Sequence, residues 1–371
     1  TIILMINKFK KIVIKIGSNS IVDSKTKKIK SKWLDKLCKD LVKLHKTKKI
    51  IIVCSGAIAL GSKSITNSVL RKLEDKQAAA SIGQIELAYQ WRTKLKKFKI
   101  SVSQILLTLE DSEVRRRYLN ARNTISSLHN KNIIPIINEN DTVATEEIRY
   151  GDNDKLAARV AQMIGADLLI LLSDVDGLYE DNPKKMKNAK KISEIYKIDN
   201  KIEKLAKSQT SDLGSGGMTT KIMAAKICSD NGCTTVITNS NKNNPISSID
   251  TNNSTFFYPS TSTNSSKKKW LLNHLNPTGS FIIDEGARNA ILKNKSLLPA
   301  GIIDIKGKFK RGDVISILVK NGTKIAVGIS AYDYSDAKKI AGKNSKEIYK
   351  ILGFEGRDEM VHKDNLVRFS T

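Results

Sequence analysis

A chain of 371 residues carrying a formal charge of +27 is long enough for one large domain and one small one, each with its own core. Such a charge ordinarily suggests nucleic acid or an anionic membrane surface, but only 12 of the 64 basic residues are arginine, and lysine rises together with Asn and Ile, as codon usage in an A/T-rich genome would produce; we read the excess as solvated surface. Four cysteines without C-x-x-C spacing and four scattered histidines indicate neither a zinc site nor a disulfide framework, which suits a reducing cytoplasm, and no apolar run is long enough to span a bilayer.

The first apolar run, Ile2 to Met5, is too short for a signal-peptide core, and Met5 is a candidate initiator. Almost wholly apolar runs then recur at Ile12 to Ile16, Ile50 to Val53, Val102 to Leu107, Ile133 to Ile137, Asp167 to Leu172 and Thr235 to Thr238. Strands without alternation are buried on both faces, as in a parallel sheet covered by helices. Between them, Ser31 to His45 sets Trp33, Leu34, Leu37, Leu41 and Leu44 on one face, and Asp75 to Phe98, Glu113 to Asn130 and Asp152 to Ile164 have helical length and composition. The expected fold is α/β: a three-layer αβα domain with a mainly parallel central sheet, its ligand site at the carboxyl ends of the strands. We place this α/β domain at residues 8–260, with Ser254 to Tyr258 as an edge strand and a linker at 261–278, where Asn, Ser, Thr and Lys leave little to pack. Beyond Gly279, short alternating strands at Ser280 to Ile283, Ile302 to Ile305, Asp313 to Val319 and Lys324 to Ile329 describe a small β-rich domain at 279–356, followed by a tail at 357–371.

Small residues, two lysines and several carboxylates stand where the apolar runs end or a helix opens. They are Lys15-Ile16-Gly17-Ser18, Ser55-Gly56-Ala57, Asn138-Glu139-Asn140-Asp141, Gly151-Asp152-Asn153-Asp154, Ser173-Asp174 and Gly214-Ser215-Gly216-Gly217-Met218-Thr219-Thr220-Lys221. Small residues let backbone N–H groups close on phosphate, lysines supply mobile positive charge, and carboxylates hold lysines or magnesium, so the set describes phosphoryl transfer. Taken singly each motif is weak: Lys15 also fits a surface lysine before a turn, and Asp152 or Asn153 also fits a cap for the helix ending at Ile164. One motif misleads. Gly56 to Ser64 nearly matches the phosphate-binding G-x-x-x-x-G-K-[ST] loop but carries one residue too many before Lys63, which would spoil that lysine's reach to the phosphates.

In their order, these motifs resemble the amino acid kinase superfamily and, within it, the glutamate 5-kinases. The single glycine of Lys15-Ile16-Gly17-Ser18 and the Ile137 to Asp141 and Gly151 to Asp154 motifs carry that resemblance, and Gly279 to Ala287 with Ser296 to Gly301 resembles a PUA domain. The resemblance implies ATP-dependent phosphorylation of the L-glutamate side chain, with Mg2+ accompanying ATP, in a cytoplasmic homo-oligomer, dimer or tetramer. It implies that Lys15 and Lys221 bind and neutralise the phosphates and that Asp154 organises both lysines. Ser55, Asp141 and Asn153 then match glutamate-binding positions, and Ser173, Asp174, Ser215, Gly216, Gly217, Met218, Thr219, Thr220 and Lys221 match the ATP site. Ser173 replaces a common threonine but keeps its hydroxyl, and Asn182-Pro183 stands where Asp-Pro is usual. Two rival readings remain open: another amino acid kinase, acting on acetylglutamate or aspartate, and an RNA-binding protein working through the PUA domain. Residues 279–356 hold 14 Lys and Arg against 8 Asp and Glu, a surplus about as dense as that of the whole chain, so charge does not favour RNA.

Overall fold

The computed structural model describes residues 6, 8–66, 70–143, 153–183, 186, 188–208, 217–260 and 277–369. The chain forms two compact units, Thr1–Ser266 and Lys267–Thr371.

In the first unit the apolar runs become β1 (Lys11–Ile16), β2 (Lys49–Cys54), β3 (Val102–Leu107), β4 (Ile134–Glu139) and β5 (Leu168–Ser173). Three two-residue strands, β6 (Leu178–Tyr179), β7 (Lys191–Ile192) and β8 (Glu194–Ile195), precede β9 (Thr234–Asn239) and β10 (Ser254–Phe257). The main sheet runs β3-β4-β2-β1-β5-β9-β10-β8, with the first six strands mutually parallel and β10 antiparallel to β9. Ile12, Ile14, Ile50, Ile52 and Ile170 have no solvent exposure, as expected of strands covered on both faces. The strand at 254–257 is not the edge expected for it: β8 pairs outside it. Its polar residues are accommodated by partners inside the sheet layer, Ser254 Oγ donating to Thr238 Oγ1 at 3.0 Å and Thr255 Oγ1 to the Ile192 carbonyl at 2.6 Å.

The helices of this unit are α1 (Ser18–Ile21), α2 (Ser31–His45), α3 (Ala57–Ile65), α4 (Leu73–Lys96), α5 (Leu109–Glu113), α6 (Arg115–Asn130), α7 (Asn153–Ile164), α8 (Asn200–Ser208) and α9 (Met218–Asp230). Helix α4 opens on Glu74 and Asp75 and closes on Lys94 and Lys96, charges matched to its dipole. Thr108 and Asp111 form a reciprocal capping box at the start of α5. No helix among the described residues is long and apolar enough to cross a membrane.

The near-P-loop glycine has a packing role. Gly61 on α3 and Gly83 on α4 meet where the two helices cross, and a Cβ added at Gly61 would lie 1.9 Å from the Ala79 carbonyl oxygen, one at Gly83 1.8 Å from that of Ala57. Backbone touches backbone there, so any side chain must push the helices apart. Gly61→Ala should cost about 1–3 kcal/mol of stability through overpacking; a wild-type thermal midpoint for that variant would contradict so close a crossing.

The second unit is built on a five-stranded sheet in the order β12-β11-β13-β14-β15: β11 (Gly279–Ile283), β12 (Ile302–Gly307), β13 (Val314–Val319), β14 (Lys324–Ile329) and β15 (Leu366–Arg368). Its helices are α10 (Glu285–Leu292), α11 (Tyr334–Ile340) and α12 (Ile348–Leu352). The Asn321-Gly322 turn joins β13 to β14 with Gly322 at φ +87°, a conformation that favours glycine. The segment expected as a tail from 357 is part of this unit. Met360 and Val361 are fully buried, Leu297 donates its N–H to the Val361 carbonyl at 2.8 Å, and β15 pairs antiparallel with β14. Most of the linker expected at 261–278 lies outside the described residues.

Candidate active site

Strand order reverses at β1, which has β2 on one side and β5 on the other, and a crevice opens at the carboxyl ends of strands at such a point. The sequence motifs meet there. Lys15 is the penultimate residue of β1, level with Val53 on β2 and Leu171 on β5, while Ser55, Asn138 and Ser173 stand at the ends of β2, β4 and β5.

At the centre is Asp154, on the first turn of α7 and 1% exposed. Its Oδ1 lies 2.6 Å from the Lys15 ammonium and its Oδ2 lies 3.1 Å from that of Lys221. The lysines themselves are 6% and 5% exposed. Burial alone would raise the Asp154 carboxyl, but the two ammonium groups outweigh it and hold the group well below the usual carboxylate range. The cluster therefore holds one negative and two positive charges. Its net charge of +1, in a place shielded from water, is complementary to an anion.

The surroundings favour the same kind of ligand. Lys221 and Thr220 occupy the first turn of α9, whose N-cap, Gly217, makes no side-chain capping hydrogen bond. Such a terminus favours negative charge. The Thr220 hydroxyl lies 2.9 Å from both Asp154 Oδ2 and the Gly217 carbonyl, so it is a further neighbour of the carboxylate as well as a residue of the expected ATP segment. Gly17 has an ordinary extended backbone, φ −71°, so its glycine is not required by conformation. A Cβ there would make only ordinary contacts, 3.6 Å from the Leu172 carbonyl oxygen, 3.8 Å from Ser20 Oγ and 4.0 Å from Lys15 Nζ. Gly56, at φ +114°, does need to be glycine and turns the chain from Ser55 into α3.

A second group of polar side chains lies beside this cluster. Asn153 Nδ2 donates to Ser55 Oγ at 2.6 Å and to Asn138 Oδ1 at 3.0 Å. Asn153 thus makes contacts across the site and is the first residue of α7 rather than its cap. Asn138 Nδ2 donates to Gln84 Oε1 on α4 at 2.7 Å. Asp141, just past β4, has its carboxyl raised to about 6 by burial. Ser173, 6% exposed, donates its hydroxyl to Asp174 Oδ1 at 3.0 Å at the end of β5. Ser215 and Gly216 lie outside the described residues, as does Asp152. Gln84 belongs to no sequence motif and Asn138 enters the sequence reading only as the start of the Asn138 to Asp141 motif, since nothing local marks two residues 54 positions apart as partners.

The set can neutralise and orient a polyphosphate over Lys15, Lys221 and α9 while polar groups from β2, β4 and α7 hold a small molecule beside it. Comparison with known proteins gives the family. Residues 10–239 match the amino acid kinase family and residues 279–352 the PUA domain. The chain is 52% identical to glutamate 5-kinase of Pelagibacter ubique (strain HTCC1062) over 359 residues, 96% of this chain and 97% of the relative. It is 45% identical to glutamate 5-kinase of Paramagnetospirillum magneticum over 360 residues, covering 96% and 97%, and 49% identical to that of Sinorhizobium fredii over 366 residues, covering 98% and 93%.

Proposed function

Because the chain belongs to the amino acid kinase family, with glutamate 5-kinases as relatives along nearly its whole length, we propose that it transfers the γ-phosphoryl group of ATP to the side-chain carboxylate of L-glutamate. The product is L-glutamyl 5-phosphate, and the step is the first of proline biosynthesis. The observation that carries the reading is the pair of buried lysines held by one buried carboxylate, Lys15–Asp154–Lys221.

The nucleophile, a carboxylate with an ordinary pKa of about 4.3, is already ionised at neutral pH, so no general base is needed. One carboxylate oxygen bonds to the γ-phosphorus while the bond from that phosphorus to the bridging oxygen breaks, and the electron pair leaves with the β-phosphate. The obstacle is repulsion between anions, together with in-line alignment. Lys15 and Lys221 offset the first. Their compact ammonium groups on flexible stems follow charge from the γ- to the β-phosphate, and Asp154 keeps the two cations side by side before ATP arrives. In this reading Lys15, Ser173, Asp174 and the segment from Ser215 to Lys221 receive the nucleotide, and Ser55, Asp141 and Asn153 receive glutamate.

Magnesium is the divalent metal we expect with ATP. No group of three His, Cys, Asp or Glu residues suited to a metal stands among the described residues, and Asp154 has both oxygens on ammonium groups. That donor set does not fit a protein-built metal cage, so the metal would be carried by the nucleotide's own phosphates. The four cysteines are unpaired and buried, which supports a cytoplasmic setting for the reaction. A homo-oligomer is the assembly we expect. Ile82, Ile85 and Tyr89, exposed along one side of α4, offer an apolar stripe for it, and sedimentation of the purified chain tests it.

The test of the reaction is ATP consumption with glutamate, acetylglutamate, aspartate or no acceptor, with hydroxylamine trapping any acyl phosphate. Hydroxamate only with glutamate is expected; hydroxamate only with another acceptor would overturn the substrate. Asp141 adds a pH signature. Its carboxylate, ionised above about 6, is suited to the substrate's α-ammonium, so the KM for glutamate should rise as pH falls through that value. Asp141→Asn should raise that KM at neutral pH by about tenfold, the loss of one charge-assisted contact, and should flatten the profile. An unchanged KM and an unchanged profile would remove Asp141 from the glutamate site.

A further inference from the structure

The amides beside the site have a fixed polarity. The Glu139 backbone N–H, which can only donate, gives its hydrogen to Asn138 Oδ1 at 2.9 Å. Asn138 therefore turns its Nδ2 the other way, toward Gln84, which answers with Oε1 at 2.7 Å. Asn153 meets the same Asn138 oxygen at 3.0 Å and so must present Nδ2, whose second hydrogen goes to Ser55 Oγ at 2.6 Å. Both amide hydrogens of Asn153 are now committed. Its Oδ1 is buried, in a residue 4% exposed, and has no hydrogen-bond partner among the described residues. A buried acceptor without a donor is costly unless a ligand supplies one.

We propose that Gln84 is a positioning residue for the amino-acid substrate: by accepting from Asn138 it locks that amide, and through it holds Asn153 with Oδ1 aimed at the substrate's α-ammonium. The inference rests on the reading of Ser55, Asp141 and Asn153 as the glutamate site. Gln84 is placed by packing, since it follows Gly83, which crosses against the Ala57 backbone immediately beyond Ser55-Gly56. The two glycines of that crossing thereby bring an acceptor from α4 to the end of β4. Without it, Asn138 Nδ2 loses its partner, and rotation of the Asn138 amide would turn a donor toward Asn153 and reverse the polarity offered to the substrate. A free ammonium, with three donors, suits an oxygen at this position. An acylated nitrogen, with one hydrogen and added bulk, suits it poorly.

The alternative role for Gln84 is simply to satisfy a polar contact between helix and strand, and that role would affect stability alone. The two roles separate in kinetics. Gln84→Met, close in volume but without an acceptor, should raise the KM for glutamate about tenfold, as expected for losing one interior hydrogen bond. The KM for ATP should stay within about twofold, as expected when the phosphate contacts are untouched. Gln84→Glu keeps an acceptor and should recover most of the loss. Equal glutamate KM values in the Met and Glu variants, or a KM for glutamate unchanged in Gln84→Met, would overturn the proposal. If Gln84→Met does not fold, Asn138→Asp and Asn138→Leu make the same comparison, because the aspartate retains the acceptor for Glu139 and Asn153; equal effects would again overturn it. Asn153→Ala separates this proposal from the reading beneath it. A raised glutamate KM in Asn153→Ala with none in Gln84→Met refutes the positioning role alone, whereas no change in Asn153→Ala refutes the placing of glutamate itself.

Discussion

Asp154→Asn should lower kcat by about a thousandfold or more and, in the absence of nucleotide, destabilise the protein by about 3–5 kcal/mol, the usual consequence of stranding buried charge. The asparagine oxygen can meet only one of the two lysines, which leaves its NH2 group facing the other ammonium. Two cations, each no more than 6% exposed, would then share a pocket without a countercharge. An anion should restore part of what is lost, so ATP or pyrophosphate should raise the thermal midpoint of this variant more than that of the wild type. The pH dependence has a definite sign. The folded carboxyl lies below its unfolded value of about 3.9, so its contribution to stability is fully present above that pH and is lost as pH falls toward the folded value. The variant should lack this acid-side loss. Near-normal turnover, or a midpoint equal to that of the wild type, would remove Asp154 from the centre of the site.

The parallel strands could be read from the sequence because burial on both faces leaves almost no polar residue in them, and Lys15, Ser55, Asp141 and Ser173 could be placed because a parallel sheet presents its strand ends on one side. What went unread depends on distant partners. Ser254 to Tyr258 reads as an edge strand, whereas β8 pairs outside it and the Ser254 and Thr255 hydroxyls find Thr238 and Ile192 inside the sheet layer. The strand Leu366–Arg368 is three residues long, too short for any periodicity to register, and it is defined by pairing with β14. Gly61 appeared as part of a defective phosphate loop because spacing was visible and the opposing helix was not. In the site, the residue types were legible but their polarity was not. Which face Asn153 offers a ligand is decided by the Glu139 N–H acting through Asn138, a chain of contacts no local pattern encodes.

Lys221→Met should reduce kcat about as severely as Asp154→Asn, by about a thousandfold, yet leave the nucleotide-free protein as stable as the wild type or slightly more so. The difference follows from charge. Removing Asp154 takes the cluster from +1 to +2, whereas removing Lys221 takes it to zero, a neutral Lys15–Asp154 pair at 2.6 Å. Position reinforces the effect, because Lys221 lies in the first turn of α9, where the helix dipole already repels a cation. A buried lysine in that place is unfavourable for the fold by itself and is held by Asp154; its usefulness begins when an anion arrives. The variant should accordingly gain less thermal stabilisation from ATP than the wild type gains. A midpoint that falls as far as that of Asp154→Asn would mean that Lys221 chiefly supports the fold. Stability preserved together with kcat lost would mean instead that the chain maintains an unfavourable charge for the sake of the phosphoryl group it transfers.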